Sequence, residues 1–132
     1  MKRLLAGIAM SMNSAEGSRI SFGLKGGEGS VSSSIGSSVS VEMVTNPTTG
    51  YDWRIVGEIP DCLAASEAQY KKMPTPEGKH LIGASSIKEY TFTATDVCQT
   101  DIRFEYIHAS EKKEKSVPYI IVHLSVVSDE LL

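Results

Sequence analysis

Basic residues are too scarce in this sequence for a nucleic-acid footprint. Thirteen lysines and arginines stand against 16 aspartates and glutamates, a formal charge of −3, whereas a nucleic-acid binder gathers positive charge on one face. No apolar run approaches the ~20 residues of a membrane-spanning helix, so neither nucleic acid nor membrane is expected as a partner. Two cysteines, Cys62 and Cys98, are too few for a disulfide scaffold. The three histidines, His80, His108 and His123, lack the helical or hairpin spacing of metal ligands. A nucleophile elbow, a Walker loop and a zinc-ligand cluster are all missing. A Cys–His catalytic pair needs a spatial convergence that nothing in the sequence predicts. An enzyme is therefore disfavoured, and no metal or cofactor is expected.

What is present is strand writing. The 132 residues, 41% hydrophobic and 22% charged, suit one domain with a single core. Tyr90, Phe92 and Ala94 alternate with Thr91, Thr93 and Thr95, the pattern of a half-buried strand. Ile102, Phe104 and Tyr106 alternate in the same way, as do Ile120, Val122, Leu124 and Val126. Strands are expected over Ser18–Leu24, Ser30–Ser34, Ser38–Val44, Trp53–Val56, Ala65–Lys72, Glu89–Ala94, Asp101–Ile107 and Val117–Val127. Only Cys62–Lys72 has a helical window worth weighing, and the strand spacing argues against it. The expected fold is all-β, an immunoglobulin-like antiparallel β-sandwich of about seven or eight strands.

Between the strands lie inserts at Pro60–Cys62, Met73–Ile87 and Ala109–Ser116. Gly23–Gly29 has too many glycines for an element interior and is expected to be a loop or linker. It is no phosphate cradle, because Ser30–Ile35 does not open a helix. The mixed-sign run Glu111–Lys115 suits a solvated hairpin tip, and His123 falls on the polar side of the last strand. Cys62 and Cys98 both fall in connections at one sandwich end, where they could meet. Free thiols are expected, with a disulfide as the alternative. Lys2 and Arg3 before the short apolar run 4–10 have the layout of a secretory signal at its lower length limit. A retained, flexible N-terminal extension over 1–17, a β-sandwich domain over 18–128 and a fraying tail over 129–132 are expected, with an intracellular location slightly favoured.

The most constrained stretch is Asn46-Pro47-Thr48-Thr49-Gly50-Tyr51-Asp52-Trp53. Val39, Val41 and Met43 (or Val44) alternate before it, and Trp53, Ile55 and Val56 resume an apolar pattern after it. Pro47 holds its own φ near −65° and biases Asn46 to an extended conformation. The Asn46 amide can fold onto nearby backbone N–H groups. Thr48 and Thr49 have few rotamers to lose, and Gly50 permits a positive φ at the turn. The product is a stiff, protruding, uncharged loop. From these residues alone it reads first as a well-made interstrand turn.

The same residues resemble the chagasin family, small immunoglobulin-like inhibitors of papain-type cysteine proteases. The family's first inhibitory loop carries Asn-Pro-Thr-Thr-Gly, an aromatic residue and then Trp, which stand here as Asn46–Tyr51 and Trp53. The likeness runs from about Gly29 to Val127, through Leu81-Ile82-Gly83-Ala84 before a strand and Phe104-Glu105-Tyr106-Ile107 before the last hairpin. Two places depart from the pattern. A second-loop Gly-x-Gly-Gly is Gly83-Ala84-Ser85-Ser86 here. A third-loop Arg-Pro-Trp or Arg-Pro-Phe is His108-Ala109-Ser110, without the proline or the aromatic anchor.

The resemblance implies a monomeric, reversible, tight-binding inhibitor that occludes the active site of a papain-like cysteine protease. By that likeness Asn46, Pro47, Thr48, Thr49, Gly50 and Tyr51 form the protease-binding first loop, with Thr48 and Thr49 at the protease's catalytic centre. Leu81, Ile82, Gly83, Ala84, Ser85 and Ser86 form the second loop, paired along the groove edge. His108, Ala109 and Ser110 form the third, touching the opposite wall. The two departures support an alternative, a binding or assembly module of the same fold that has lost protease inhibition. Placement of the tips at Thr48, Gly83 and His108 relative to one another distinguishes a shared binding end from three unrelated turns.

Overall fold

A computed structural model describes residues 11–14, 17–72, 85–110 and 116–128. Ten strands occur among the described residues, and no helix longer than one 3₁₀ turn. They are β1 (Ser11–Ser14), β2 (Gly17–Phe22), β3 (Gly26–Ser34), β4 (Ser38–Thr45), β5 (Tyr51–Val56), β6 (Leu63–Ala65), β7 (Gln69–Lys72), β8 (Ser86–Ala94), β9 (Cys98–His108) and β10 (Tyr119–Val127). One sheet runs β1-β2-β4-β8-β6, with β7 also paired to β8, and the other runs β3-β10-β9-β5. Together they make the all-β sandwich expected from the alternation.

The inner faces follow the period of two. Val39, Val41 and Met43 of β4 and Tyr90, Phe92 and Ala94 of β8 are buried from one sheet. Ile102 and Phe104 of β9 and Ile120, Val122, Leu124 and Val126 of β10 meet them from the other. Two inward positions at one end are not apolar: Thr45, which continues the β4 series, and Lys88, which precedes Tyr90, are both buried. The apolar core therefore gives way to a polar cluster where β4 ends.

Several expectations are corrected. Neither sheet is purely antiparallel, because β2 pairs with β4 and β10 with β3 in parallel. The chain passes from β2 into the opposite sheet as β3 before returning as β4, so β2 and β4 point the same way. Gly26, Gly27 and Gly29, expected in a loop, belong to β3. Gly26 has φ +78°, and a Cβ there would collide with the Tyr119 carbonyl oxygen of β10, so the glycine permits the close strand approach. The single strand expected over Ala65–Lys72 is two, β6 and β7, which pair with opposite ends of β8. Pairing also begins earlier than Ser18, since β1 runs antiparallel to β2.

Cys62 and Cys98 form a disulfide, with Cα atoms 6.4 Å apart, where free thiols were expected. Cys62 precedes β6 and Cys98 opens β9, so the bond ties one sheet to the other. His108 ends the same β9 opposite Tyr51, which puts the disulfide at the far end of the sandwich from Thr48.

His123 lies on the outer face, as expected, but it is not isolated. Its Nδ1 is 2.7 Å from Asp101 Oδ1 of β9 and its Nε2 is 3.3 Å from Glu28 Oε1 of β3. Those two bonds, with Asp101 the larger influence, raise the imidazole above its ordinary pKa. The raised value adds stability that is fully present below the unfolded pKa of ~6.5 and lost as pH rises through the folded one. The side chain is 44% exposed, so solvent screening limits the effect to a few tenths of a kcal/mol, on the order seen for exposed pairs. His123→Gln is expected to reduce the difference between denaturation midpoints at pH 5 and pH 8 in low salt. An unchanged difference would mean that the two carboxylates do not act on the ring.

Candidate functional site

The loop between β4 and β5 closes as a single 3₁₀ turn over Pro47–Thr49. Proline opens it with its φ already suited to the turn and no N–H to leave unpaired. Gly50 ends it at φ +87°, a left-handed conformation that glycine adopts without strain. The Thr49 N–H donates to the Asn46 carbonyl (3.1 Å) and the Gly50 N–H to the Pro47 carbonyl (2.9 Å). Thr49 Oγ1 donates to that same Asn46 carbonyl (2.7 Å) and accepts from the Tyr51 N–H (3.3 Å). Asn46 differs from expectation. Its Oδ1 accepts the Thr48 hydroxyl (2.7 Å) rather than a backbone N–H. Pro47, Thr48 and Thr49 are all exposed, and the tip carries no charge.

Neighbouring segments brace this tip from both sheets. Tyr51 of β5 pairs with His108 of β9, and the Ala109 N–H donates to the Gly50 carbonyl (2.8 Å). The His108 ring lies edge-on to Tyr51, with centroids 4.9 Å apart. A Cβ on Gly50 would stand 2.7 Å from His108 Nε2. His108 Nδ1 accepts the Ser110 N–H (3.0 Å) and lies 2.9 Å from the Ser110 hydroxyl. In place of a projecting aromatic anchor, this chain thus has an imidazole folded against the first loop. On the other sheet, Ser86 pairs with Thr45, the residue just before the loop. Ser85 and Ser86 therefore stand beside the first loop, while Leu81, Ile82, Gly83 and Ala84, like His80 and Glu111–Lys115, lie outside the described residues.

Beneath the tip, Trp53 is fully buried, and its Nε1 donates to the Val44 carbonyl (2.8 Å). The Asn46 N–H donates to the Tyr106 hydroxyl oxygen (3.2 Å), and the Tyr106 ring packs against both Tyr51 and Trp53. Asp52 accepts from Thr45, Lys88 and Tyr70. Burial favours the neutral acid at Asp52, yet the hydrogen bonds from Thr45, Tyr70, Lys88 and the Trp53 N–H outweigh it and hold the carboxyl below its ordinary value. At Lys88, burial opposes the charge, but Tyr90 and Asp52 lift the ammonium above the usual lysine value.

Sequence reasoning passed over Asp52, Lys88, Tyr70 and Thr45. A signal was available. Extending the β8 alternation back from Tyr90 puts Lys88 on the inner face, and a charge at an inward position implies a buried partner.

Residues 32–122 match the chagasin family of peptidase inhibitors (I42). The chain belongs to the chagasin family. The matched span starts within β3, ends within β10 and takes in all three segments described above. The family to which this chain belongs is one of peptidase inhibitors rather than enzymes. Amoebiasin-2 of Entamoeba histolytica is 35% identical over 88 residues, 64% of this chain and 68% of that protein. The crystal structure of the cysteine protease inhibitor EhICP2 from Entamoeba histolytica is similar at a TM-score of 0.65 and 25% identity, covering 83% of this chain and 96% of that one. PbICP-C, solved in complex with falcipain-2, has a TM-score of 0.59 at 12% identity, over 76% of this chain and 88% of that one. At that identity the second structural likeness is one of fold.

Proposed function

We propose that this chain is a reversible inhibitor of papain-like cysteine proteases that acts by occluding the active site, with Thr48 and Thr49 at the tip that enters the groove. The observation that carries the reading is the exposed, uncharged 3₁₀ turn at Pro47–Thr49, bonded within itself and braced by β9 on one side. Such a protease works by a cysteine thiolate paired with histidine on a chain lying extended in a groove. A turn held by its own hydrogen bonds does not extend, so it fills the groove without presenting a carbonyl for acyl transfer. The same rigidity lowers the entropy lost on docking, and no covalent step is needed. Family membership supports protease inhibition in general. Asn46, Pro47 and Gly50 then set the shape of the tip, and Ser85, Ser86, His108, Ala109 and Ser110 flank it.

A second reading has a specific observation behind it. His108 faces Gly50 and Tyr51, and the exposed residues after it are the small Ala109 and Ser110. The third loop consequently lacks the large aromatic that often dominates an interface. That is the expected state of a binding or assembly module that has lost inhibition.

Titrating papain with the purified chain separates the two readings. Inhibition in the nanomolar range is expected, with Thr48→Asp weakening it at least roughly thirtyfold, the scale of a hot-spot residue worth about 2 kcal/mol. No inhibition at tens of micromolar would replace the inhibitor reading by the module.

A further inference from the structure

An ionic cluster, buried at Lys88 and partly exposed at Asp52, joins the strand that enters the first loop to the strand that leaves it. Asp52 Oδ1 accepts from Thr45 Oγ1, at the end of β4 (2.6 Å), and from the Trp53 N–H, on β5 (2.8 Å). One carboxylate oxygen therefore spans the base of the loop. The other accepts from Lys88 Nζ (3.1 Å) and from the Tyr70 hydroxyl. Lys88 also donates to the Trp53 carbonyl (2.7 Å), which takes a second bond from the Tyr90 hydroxyl (3.1 Å). The lysine comes from β8 of one sheet and reaches Asp52 and Trp53 on β5 of the other. Its ammonium lies 5.3 Å and 5.2 Å from the ring centroids of Tyr70 and Tyr90.

Stability alone does not explain such a cluster. Desolvating two charges offsets much of their attraction, and a well-packed apolar pair is often as stable or more so. A charge-assisted network does supply direction, since each bond holds only over a narrow range of distance and angle. Here the bonded atoms belong to residues 45 and 53, the two ends from which the tip projects.

We propose that Asp52 and Lys88 are positioning residues, an ionic clamp that sets the separation and angle of the two strands at the loop base and so holds residues 46–51 in the conformation a partner meets. The effect of the clamp on inhibition rests on the reading of those residues as the protease-binding tip. Without the clamp the 3₁₀ turn opens more often, and apparent affinity falls in proportion to the competent fraction.

The test uses the full chain with Asp52→Asn and Lys88→Met combined, which removes both charges and leaves no unpaired ion. Amide hydrogen exchange is read residue by residue beside the thermal midpoint. Exchange at Thr49, Gly50 and Ala109, whose N–H groups bond within and onto the loop, is expected to rise roughly tenfold while the amides of β4 and β10 hold their protection. Inhibition of papain is expected to weaken only as far as the competent fraction falls, by less than about twofold while the closed turn remains the major state. Exchange that rises equally across both sheets, or does not rise at the loop, overturns the clamp. Tyr70→Phe, at a half-exposed position, removes one bond to Asp52 without emptying the core. It is expected to raise loop exchange severalfold, and no rise there overturns the clamp even if the double variant fails to fold. Because exchange is read without a protease, a locally loosened variant of a chain that never inhibits papain upholds the clamp and removes only the inhibitor reading.

Discussion

Trp53→Ala is expected to lower the stability of the domain by about 3–5 kcal/mol, the range for emptying a large aromatic site in a packed core. Trp53 is the largest of the fully buried side chains and belongs to the sandwich core. Its removal does three things at once. It opens a cavity, it leaves the Val44 carbonyl without the indole donor, and it withdraws the surface on which Tyr106 rests at a centroid distance of 5.0 Å. Tyr106 in turn accepts the Asn46 N–H, so the damage reaches the first residue of the loop. Trp53→Phe separates packing from hydrogen bonding. It keeps most of the apolar contact and is expected to cost about 1–3 kcal/mol for the unpaired carbonyl. Denaturant unfolding of the three proteins measures both. A loss below about 1 kcal/mol in Trp53→Ala would mean that the indole does not join the sheets at this end.

Breaking the Cys62–Cys98 bond is expected to lower stability by a comparable amount, about 4 kcal/mol, from the chain entropy of a loop spanning 36 positions. Its location makes the outcome distinctive. The bond lies at the end of the sandwich opposite Thr48, so a Cys62→Ser/Cys98→Ser chain that remains folded is expected to keep its affinity for a protease while its unfolding midpoint falls. Wild-type chain treated with a thiol reductant is expected to match the double variant. An unchanged midpoint under reduction would show that the crosslink contributes nothing, and a loss of affinity without unfolding would show that the two ends are coupled. The expectation of free thiols assumed a reducing environment. What pairs the sulfurs is the meeting of β9 with the segment before β6, which no local pattern announces.

The two expected losses divide the molecule between them. Trp53 and the Asp52–Lys88 network hold the sheets together at the loop end, and the disulfide holds them at the other. Between them the apolar faces of β2, β4, β8, β9 and β10 supply non-directional attraction. Beneath the loop the side-chain bonds of Thr45, Lys88 and Tyr90 to Asp52 and Trp53 add direction to that attraction.

How much could be read without coordinates depended on the range of each interaction. The alternations at Tyr90–Ala94 and Ile120–Val126 identified inward faces correctly because the pleat is a property of consecutive residues. Gly26 was misread as part of a loop because the reason for it, the close approach of Tyr119 on β10, is contributed by a residue some ninety positions away. Lys88 is a mixed case. Its inward position follows from the alternation, whereas the identity of its partner does not.

By itself the sequence determined an all-β chain with period-two faces and a tip whose conformation Pro47, Thr48, Thr49 and Gly50 largely dictate, since these are torsional and steric preferences of a few adjacent residues. Only the tertiary structure decided the two parallel pairings, the joining of Cys62 to Cys98, the folding of His108 onto Gly50 and the Asp52–Lys88 bond across the loop base. Each of those is a contact between segments far apart in the chain, and its partner is chosen by how the two sheets pack rather than by any local rule.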